Sequence, residues 1–190
     1  MENEYTEGEN FNRIDYTDRN LLKREYLNCS FRNCDFSNLT LSGIRFDTCT
    51  FSGCNMSMTN LVDTGLQDTE FKGCKMVGLN FENYSYFGLS VHFDGCNLNH
   101  ASFYKAQLQK TLFVDSTLQE AIFSGCNLRK STFKGCNLDR TIFEDTVLEE
   151  ADFRTSYNYS INPVNNRIKK AKFSLPEVIG LLDTYDITID

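Results

Sequence analysis

Large apolar residues recur at every fifth position over most of the chain. The series runs from Phe11 to Tyr86 and, after a shift of two residues, continues from Phe93 to Phe153. The position two residues before each member is usually small. Neither the 3.6-residue period of a helix nor the alternation of a regular strand produces a strict period of five. The pattern is therefore an internal repeat, which has to be identified before any element is assigned.

The cysteines belong to this repeat. Threonine, serine and alanine fill the small position in many units, as at Thr59, Ser131 and Ala151. Free cysteine behaves as a small buried hydrophobe, so we expect cysteines at this position to pack inside the repeat. All eight cysteines occupy it: Cys29, Cys34, Cys49, Cys54, Cys74, Cys96, Cys126 and Cys136.

The repeat resembles that of the pentapeptide-repeat family, whose units are similar to Ala-(Asp/Asn)-Leu-X-X. CNLRK at 126–130 and CNLDR at 136–140 carry the match, and the resemblance extends over residues 11–173. It implies an all-β fold, a right-handed quadrilateral β-helix (β-solenoid) of about eight coils with four pentapeptides in each coil. It also implies that the large residue and the small residue two before it both point inward.

Phenylalanines spaced by one coil support this register. A coil of ten residues would place Leu21, Leu41 and Leu61 in the phenylalanine column, so the first half of the chain favours a coil of twenty. We therefore expect an aromatic stack through the core, each ring resting on the ring one coil away. Its members are Phe11, Phe31, Phe51, Phe71, Phe93, Phe113, Phe133, Phe153 and Phe173.

Disulfide bonds and zinc sites are less favoured for the cysteines. In the twenty-residue register Cys34, Cys54, Cys74 and Cys96 form one column at the ~4.8 Å spacing of neighbouring strands. Parallel Cβ atoms at that spacing lie slightly beyond the roughly 3.5–4.5 Å that a disulfide needs. Tetrahedral zinc needs converging sulfurs about 3.8 Å apart. We expect no metal and no other cofactor.

Composition and charge favour one cytosolic domain. A chain of 190 residues suits a single domain, and a net charge of −7 disfavours direct binding of nucleic acid or anionic lipid. The first ten residues carry four glutamates and no basic residue, the reverse of a signal peptide, and no apolar run approaches the ~20 residues of a membrane span. We therefore expect a cytoplasmic location, where cysteines stay reduced.

Two interruptions divide the repeat, which we expect to span residues 11–173 after an N-terminal tail at 1–10. A register slip at 84–92 either exposes Tyr86 or Phe87 as a recognition tip or is repacked on the coil. An irregular loop follows at 154–167. The register survives this loop, because Phe153 and Phe173 are twenty residues apart.

Residues 174–190 are predicted to form a C-terminal helix and tail. Ser174 and Glu177 match a capping box. The apolar spacing predicts one helix face, which we expect to cover the open end of the solenoid or to form a dimer contact. That face consists of Leu175, Val178, Ile179 and Leu182.

A homodimer is favoured over a monomer. Further apolar residues follow the predicted face, among them Leu181, Tyr185, Ile187 and Ile189, and they are available to a twofold partner. The chain also resembles, more weakly, the Qnr-type quinolone-resistance branch of the family. Members of that branch end in a helix and dimerise through it.

Three classes of function are open. Many pentapeptide-repeat proteins have no known activity, so an interaction scaffold with an unidentified protein partner is favoured. The Qnr-type resemblance implies the alternative, a DNA mimic that binds a type II topoisomerase such as gyrase and gives fluoroquinolone protection. An enzyme is least favoured, because no catalytic motif is present and neither His92 nor His100 lies near a cysteine or an acid outside the repeat pattern.

The densest acidic segment is the candidate surface for such a partner. A rod of eight coil steps is about 38 Å long, and duplex DNA of that length carries on the order of 22 negative charges. The net charge of this chain is only −7, so a DNA mimic would depend on a local acidic surface. Arg129 and Lys130 lie twenty residues before two of the acidic residues, which favours ion pairs between coils over a free acidic stripe. The segment, EDTVLEEADF, contains Glu144, Asp145, Glu149, Glu150 and Asp152.

Overall fold

The computed structural model describes residues 5–17, 21–22, 25–82, 89–185 and 187–188. Ten short strands lie in one parallel sheet system, and each strand pairs with the strand one coil away. The strands are β1 Tyr5–Glu7, β2 Asn10–Asn12, β3 Glu25–Leu27, β4 Ser30–Arg32, β5 Arg45–Asp47, β6 Thr50–Ser52, β7 Gly65–Lys72, β8 Leu89–Asp94, β9 Leu112–Val114 and β10 Thr132–Lys134.

The strands form two adjoining faces of a parallel solenoid. One face runs β1-β3-β5-β7, and the other runs β2-β4-β6-β7-β8-β9-β10. Strand β7 has eight residues, so it passes through the corner and belongs to both faces. Isolated parallel bridges such as Asp35↔Asn55 and Ser102↔Ile122 hold the two remaining faces together. The predicted all-β solenoid with twenty residues to a coil is confirmed.

The number of coils differs slightly from the prediction. Six steps between paired strands separate β2 from β10, so the strands alone define about six turns. Beyond β10 the column continues only through isolated bridges, from Thr132 to Asp152 and from Asp152 to Lys172. The phenylalanine spacing predicts about eight coils, because it does not distinguish strand pairs from isolated bridges.

The core consists of stacked aromatic rings. Along the predicted column from Phe11 to Phe173, neighbouring centroids lie 4.7–5.5 Å apart and the ring planes are within 18° of parallel. A second column rises opposite, where Phe103 and Phe123 are 4.7 Å apart. Rings of the two columns meet edge to face, as Phe113 and Phe123 do at 88°, which is a favoured aromatic geometry.

The small position of each repeat carries a hydrogen bond as well as packing. The Thr59 hydroxyl donates to the carbonyl of Phe36 at 2.8 Å, and the Cys54 thiol donates to the carbonyl of Phe31 at 3.4 Å. The acceptor is most often a carbonyl one coil back, although Ser116 and Cys136 donate to a carbonyl two residues earlier on the same coil. A small side chain with a donor therefore fits the position better than alanine does.

One residue at many corners of the coil has a left-handed backbone. Gly53 and Gly135 have φ near +64°, a region in which glycine has no steric cost. Lysine and glutamate also occupy such corners, as at Lys130 (φ +60°) and Glu150 (φ +61°). The corners therefore bring exposed charged side chains into columns.

The pairing register changes where the sequence predicts a slip. Leu66 pairs with Leu89, 23 residues later, whereas Thr69 pairs with Val91, 22 residues later. Leu89 is buried and lies beside Leu66 in the position that the five-residue series assigns to Tyr86. Residues 83–88, with Tyr86 and Phe87, lie outside the described residues.

The C-terminal helix is shorter and tighter than predicted. Two 3-10 segments, Glu177–Leu181 and Asp183–Tyr185, replace the expected helix. The predicted capping box is absent, because the Glu177 carboxylate accepts the backbone N–H of Asn158 at 3.3 Å and no side chain caps the first segment. No helix of the described residues is long and apolar enough to cross a membrane.

The aromatic column predicts a large effect of Phe133→Ala. Phe133 is fully buried and stacks 4.7 Å from Phe113 and 4.8 Å from Phe153. We expect its truncation to lower the free energy of unfolding by ~3–5 kcal/mol through loss of burial and cavity formation, measured by urea denaturation. Val164→Ala, at a side chain that is 76% exposed, is the control. A loss below about 1 kcal/mol for Phe133→Ala would contradict the stacked core.

Candidate interaction surface

The predicted acidic segment does not form one stripe. Phe143, Leu148 and Phe153 are all buried and five residues apart, so each lies on a successive face of the coil. Glu144 and Asp145 therefore belong to one face and its corner, whereas Glu149 and Glu150 belong to the next, and Asp152 to the one after that. A flat partner cannot contact all five carboxylates at once.

Two of the carboxylates pair with cations on neighbouring coils. Glu149 accepts hydrogen bonds from Arg167 at 2.6 Å. Glu150 pairs with Arg129 at 2.9 Å and with Lys130 at 3.6 Å, and the hydrogen bond from Arg129 lowers the pKa of the Glu150 carboxyl. Opposite charges on adjacent strands stabilise the stack modestly, so these carboxylates serve the contacts between coils.

Asp152 also forms ion pairs, one on its own coil and one with the next coil. Its carboxylate pairs with Arg154 at 2.7 Å and with Lys172 at 3.9 Å. The hydrogen bond from Arg154 is the main reason that the pKa of Asp152 is lowered. The stability that this shift contributes is complete above the unfolded value near 4 and is lost as the pH falls through the lower folded value.

Glu144 and Asp145 remain as the exposed acidic pair. Both are exposed, and neither forms an ion pair within the described part of the chain. Like charges at neighbouring positions give a small local negative potential. This is a much smaller negative surface than the five-carboxylate segment suggested.

The two histidines lie in surface columns. His92 Nδ1 accepts the backbone N–H of Leu112 at 3.3 Å, and His100 Nδ1 lies 3.4 Å from Glu120 on the next coil. The Ser90 hydroxyl near His92 donates to Asp68 at 2.6 Å and not to the imidazole. This geometry does not join a nucleophile to a base, as nucleophilic catalysis requires.

The cysteines form buried, free thiols. All eight are free and buried, and burial raises the pKa of Cys49, Cys126 and Cys136 to about 12. Among the described residues, no group of three or more His, Cys, Asp or Glu side chains could hold a metal ion. The thiols therefore serve packing, and burial keeps Cys49, Cys126 and Cys136 in the protonated form, whereas the nucleophile would be the thiolate.

The predicted C-terminal face points away from the solenoid. Leu175 is 90% exposed and Ile179 is 49% exposed. Gly180, in contrast, is buried, and its carbonyl accepts the Ile161 N–H at 2.9 Å. Leu181 packs against the core in their place. A 3-10 segment has three residues per turn, so its inward face differs from that of the expected helix. We call the exposed set Leu175, Val178, Ile179 and Leu182 the C-terminal apolar patch.

Sequence reasoning missed a cluster of cations. Lys110, Lys130 and Lys170 occupy one corner column together with Glu150, and all three lysines are exposed. The signal was present in the sequence as basic residues at multiples of twenty. Taken alone, that signal favours ion pairs with the acidic segment and does not indicate an excess of cations.

Comparison with known proteins supports the repeat architecture. A family model described as a pentapeptide repeat region matches residues 25–86 and 89–162, well over half of the chain. No curated protein sequence matches the chain.

Solved structures share the fold at low sequence identity. A trypsin-treated form of QnrB1, a plasmid-mediated fluoroquinolone resistance protein, is 22% identical, with a TM-score of 0.56 over 98% of this chain and 97% of that chain. HetL from the cyanobacterium Nostoc sp., a pentapeptide repeat protein involved in heterocyst differentiation regulation, is 16% identical, with a TM-score of 0.52 over 90% of this chain and 86% of that chain. At these identities the likeness concerns the fold.

The buried thiols predict slow chemical modification. At about pH 8 we expect none of the eight cysteines to react with an aromatic disulfide reagent in the native protein within minutes, because each thiol is buried in the core and the reagent cannot reach it. In urea all eight are expected to react. A native thiol that reacts at the rate of a free cysteine would contradict the packing role and would reopen the question of enzymatic activity.

Proposed function

Because the chain belongs to the pentapeptide repeat family, we propose that it is a scaffold for protein–protein interaction and has no catalytic activity. One observation carries the proposal. The interior is filled by stacked rings and small side chains, so the chemically variable side chains all lie in outer rows and at corners. A partner protein recognises such rows, as partners do with other solenoids.

The shape of the surface supports a role in binding over one in catalysis. The depressions described on the solenoid have volumes of about 340–450 Å³ and are about half open to solvent. The one beside His92 is lined by Ser90, Gln109, Lys110, Thr111 and apolar side chains, and the Ser90 hydroxyl donates its hydrogen bond to Asp68. A substrate site usually encloses most of the ligand's surface and directs a few polar groups toward it.

Binding of a type II topoisomerase such as gyrase, with protection from fluoroquinolones, is the second candidate. It is favoured by the likeness to QnrB1, which extends over 98% of this chain. A DNA mimic would need a coherent negative face, and three of the five candidate carboxylates are paired with arginine or lysine. We therefore favour the general scaffold function over topoisomerase binding.

We also propose a cytosolic location and a homodimer. Eight free cysteines suit a reducing compartment. The C-terminal apolar patch is exposed at the end of the solenoid, where a twofold copy would cover it. The contact would involve 3-10 segments in place of the helix expected from the sequence.

Two assays test the function. In the first, DNA gyrase supercoils relaxed plasmid while full-length protein is titrated with and without a fluoroquinolone. The scaffold proposal predicts no change at micromolar protein. Inhibition or drug protection that disappears in the isosteric variant Glu144→Gln/Asp145→Asn would replace the scaffold with the topoisomerase function.

The second assay is quantitative affinity capture from lysate with the full chain as bait. We expect one partner in near-stoichiometric amount. Each variant bait carries substitutions of exposed side chains in one outer row of the solenoid, and the partner should be lost with at least one of these baits and retained with the others. Variants are matched for melting temperature so that loss of binding is not loss of fold. Failure to retain a partner with any bait would contradict the scaffold proposal.

The dimer predicts a specific change in mass. Light scattering after size exclusion should give twice the 21.9 kDa of the chain. Ile179→Glu should give the monomer, because an unpaired charge in an apolar contact is costly. Thr184→Glu, at an exposed polar position nearby, is the control and should remain dimeric. A monomeric wild-type protein would exclude the dimer.

A further inference from the structure

Basic residues concentrate on two adjoining faces of the last coils. Nine of the 19 basic residues but only four of the 26 acidic residues lie there. The acidic ones are Asp115, Glu149, Glu150 and Asp152. We call the nine basic residues the basic corner: Lys110, Arg129, Lys130, Lys134, Arg154, Arg167, Lys169, Lys170 and Lys172.

The fold places these residues in columns. Lys110, Lys130, Glu150 and Lys170 all have φ between +60° and +63°, so they occupy the same left-handed corner of successive coils. Coils are separated by ~4.8 Å, so the column is about 14 Å long. Three of its four members are lysine, and each lysine is exposed.

The cations of the basic corner outnumber the acids that pair with them. Glu149, Glu150 and Asp152 are engaged by arginine and lysine at 2.6–3.9 Å. Within the part of the chain that the structure describes, four lysines of the corner form no ion pair. They are Lys110, Lys134, Lys169 and Lys170. The corner therefore has cations available to an external anion.

A groove runs between these cations. Two adjoining surface depressions, of about 340 and 380 Å³, share Thr132 and Asp152. The first is also lined by Lys130, Glu150, Lys170 and Lys172, and the second by Lys134, Arg154 and Thr155. Lys110 and Lys169 lie beside the groove: Lys110 shares the corner column of Lys130 and Lys170, and Lys169 precedes Lys170. Thr132 is short and half-buried, so it forms the floor between longer charged side chains.

The size of the groove decides between two polyanions. Duplex DNA carries one charge per ~1.7 Å along a rigid axis, and a duplex long enough to bind well would extend over the rest of this protein, which is strongly acidic. An extended peptide crosses about 14 Å with four or five residues at ~3.3 Å each. A short acidic peptide therefore matches the extent of the positive surface, whereas a duplex does not.

We propose that the basic corner is the docking surface for a short, extended acidic segment of the partner protein, whose carboxylates contact Lys134 and Lys170 in the groove and Lys110 and Lys169 beside it. The inference rests on the proposed scaffold function and assigns a surface and a partner chemistry to it. Carboxylates on the peptide replace water at lysines that have no partner, so binding should weaken steeply with salt.

Fluorescence anisotropy with a labelled octapeptide of glutamate tests the groove. At low salt we expect saturable binding to the full-length protein. The quadruple variant Lys110→Gln/Lys134→Gln/Lys169→Gln/Lys170→Gln should bind roughly tenfold more weakly or worse. A matched control removes the same charge from other surfaces: Arg13→Gln/Arg32→Gln/Lys75→Gln/Lys105→Gln. The affinity of this control for the peptide should lie within about twofold of the wild-type affinity, once the general effect of its lower net charge is subtracted.

The outcomes are distinct. Equal loss of affinity in both quadruple variants would mean that only net charge matters and would overturn the groove. A labelled twelve-base-pair DNA duplex that binds more tightly than the peptide, and loses affinity in the lysine variant alone, would assign the corner to nucleic acid and overturn the peptide. No binding of the peptide would also overturn it, while the affinity capture assay would still decide the scaffold function separately.

Discussion

The structure depends on like residues stacking on like residues at a separation of one coil. Twenty residues return the chain to the same face, so the same ring meets the same ring about 5 Å away. Stacked and edge-to-face rings fill the interior, and small donors satisfy the carbonyls beside them. Backbone hydrogen bonds between coils follow from this register, as does the alignment of every outer column. A change in coil length alters all of these at once.

The same constraint decides where function can lie. Because inward positions are committed to packing, chemistry is confined to the outer rows and corners, where residues twenty apart become neighbours. Charges in these columns either pair across coils, as Glu150 does with Arg129, or accumulate, as the lysines of the basic corner do. A chain that is acidic overall thereby presents a local positive groove. Net charge alone is a poor guide to the partner of such a protein.

The repeat made the fold predictable from sequence, because each pentapeptide repeats the same inward pattern and many copies reinforce one register. The outward-facing positions do not repeat in this way, so the sequence does not show which of them act together. The acidic residues form one dense segment in the sequence, yet each five-residue step turns a corner of the coil and separates Glu144 from Asp152. The C-terminal residues also fit a helical period, but Gly180 packs against Tyr159 and a 3-10 segment results. The contact with Tyr159 thus determines the type of helix, and a contact between distant residues cannot be inferred from the spacing of nearby apolar residues.

Insertions of controlled length test the stacking constraint most directly. One variant duplicates residues 114–133, a full coil, and the other duplicates residues 129–133, a single pentapeptide. We expect the full-coil variant to unfold cooperatively with a melting temperature close to that of wild type. The pentapeptide variant should be strongly destabilised, because every later phenylalanine of the column then lies over a leucine column. Equal tolerance of both insertions, or unfolding of the full-coil variant alone, would contradict the account.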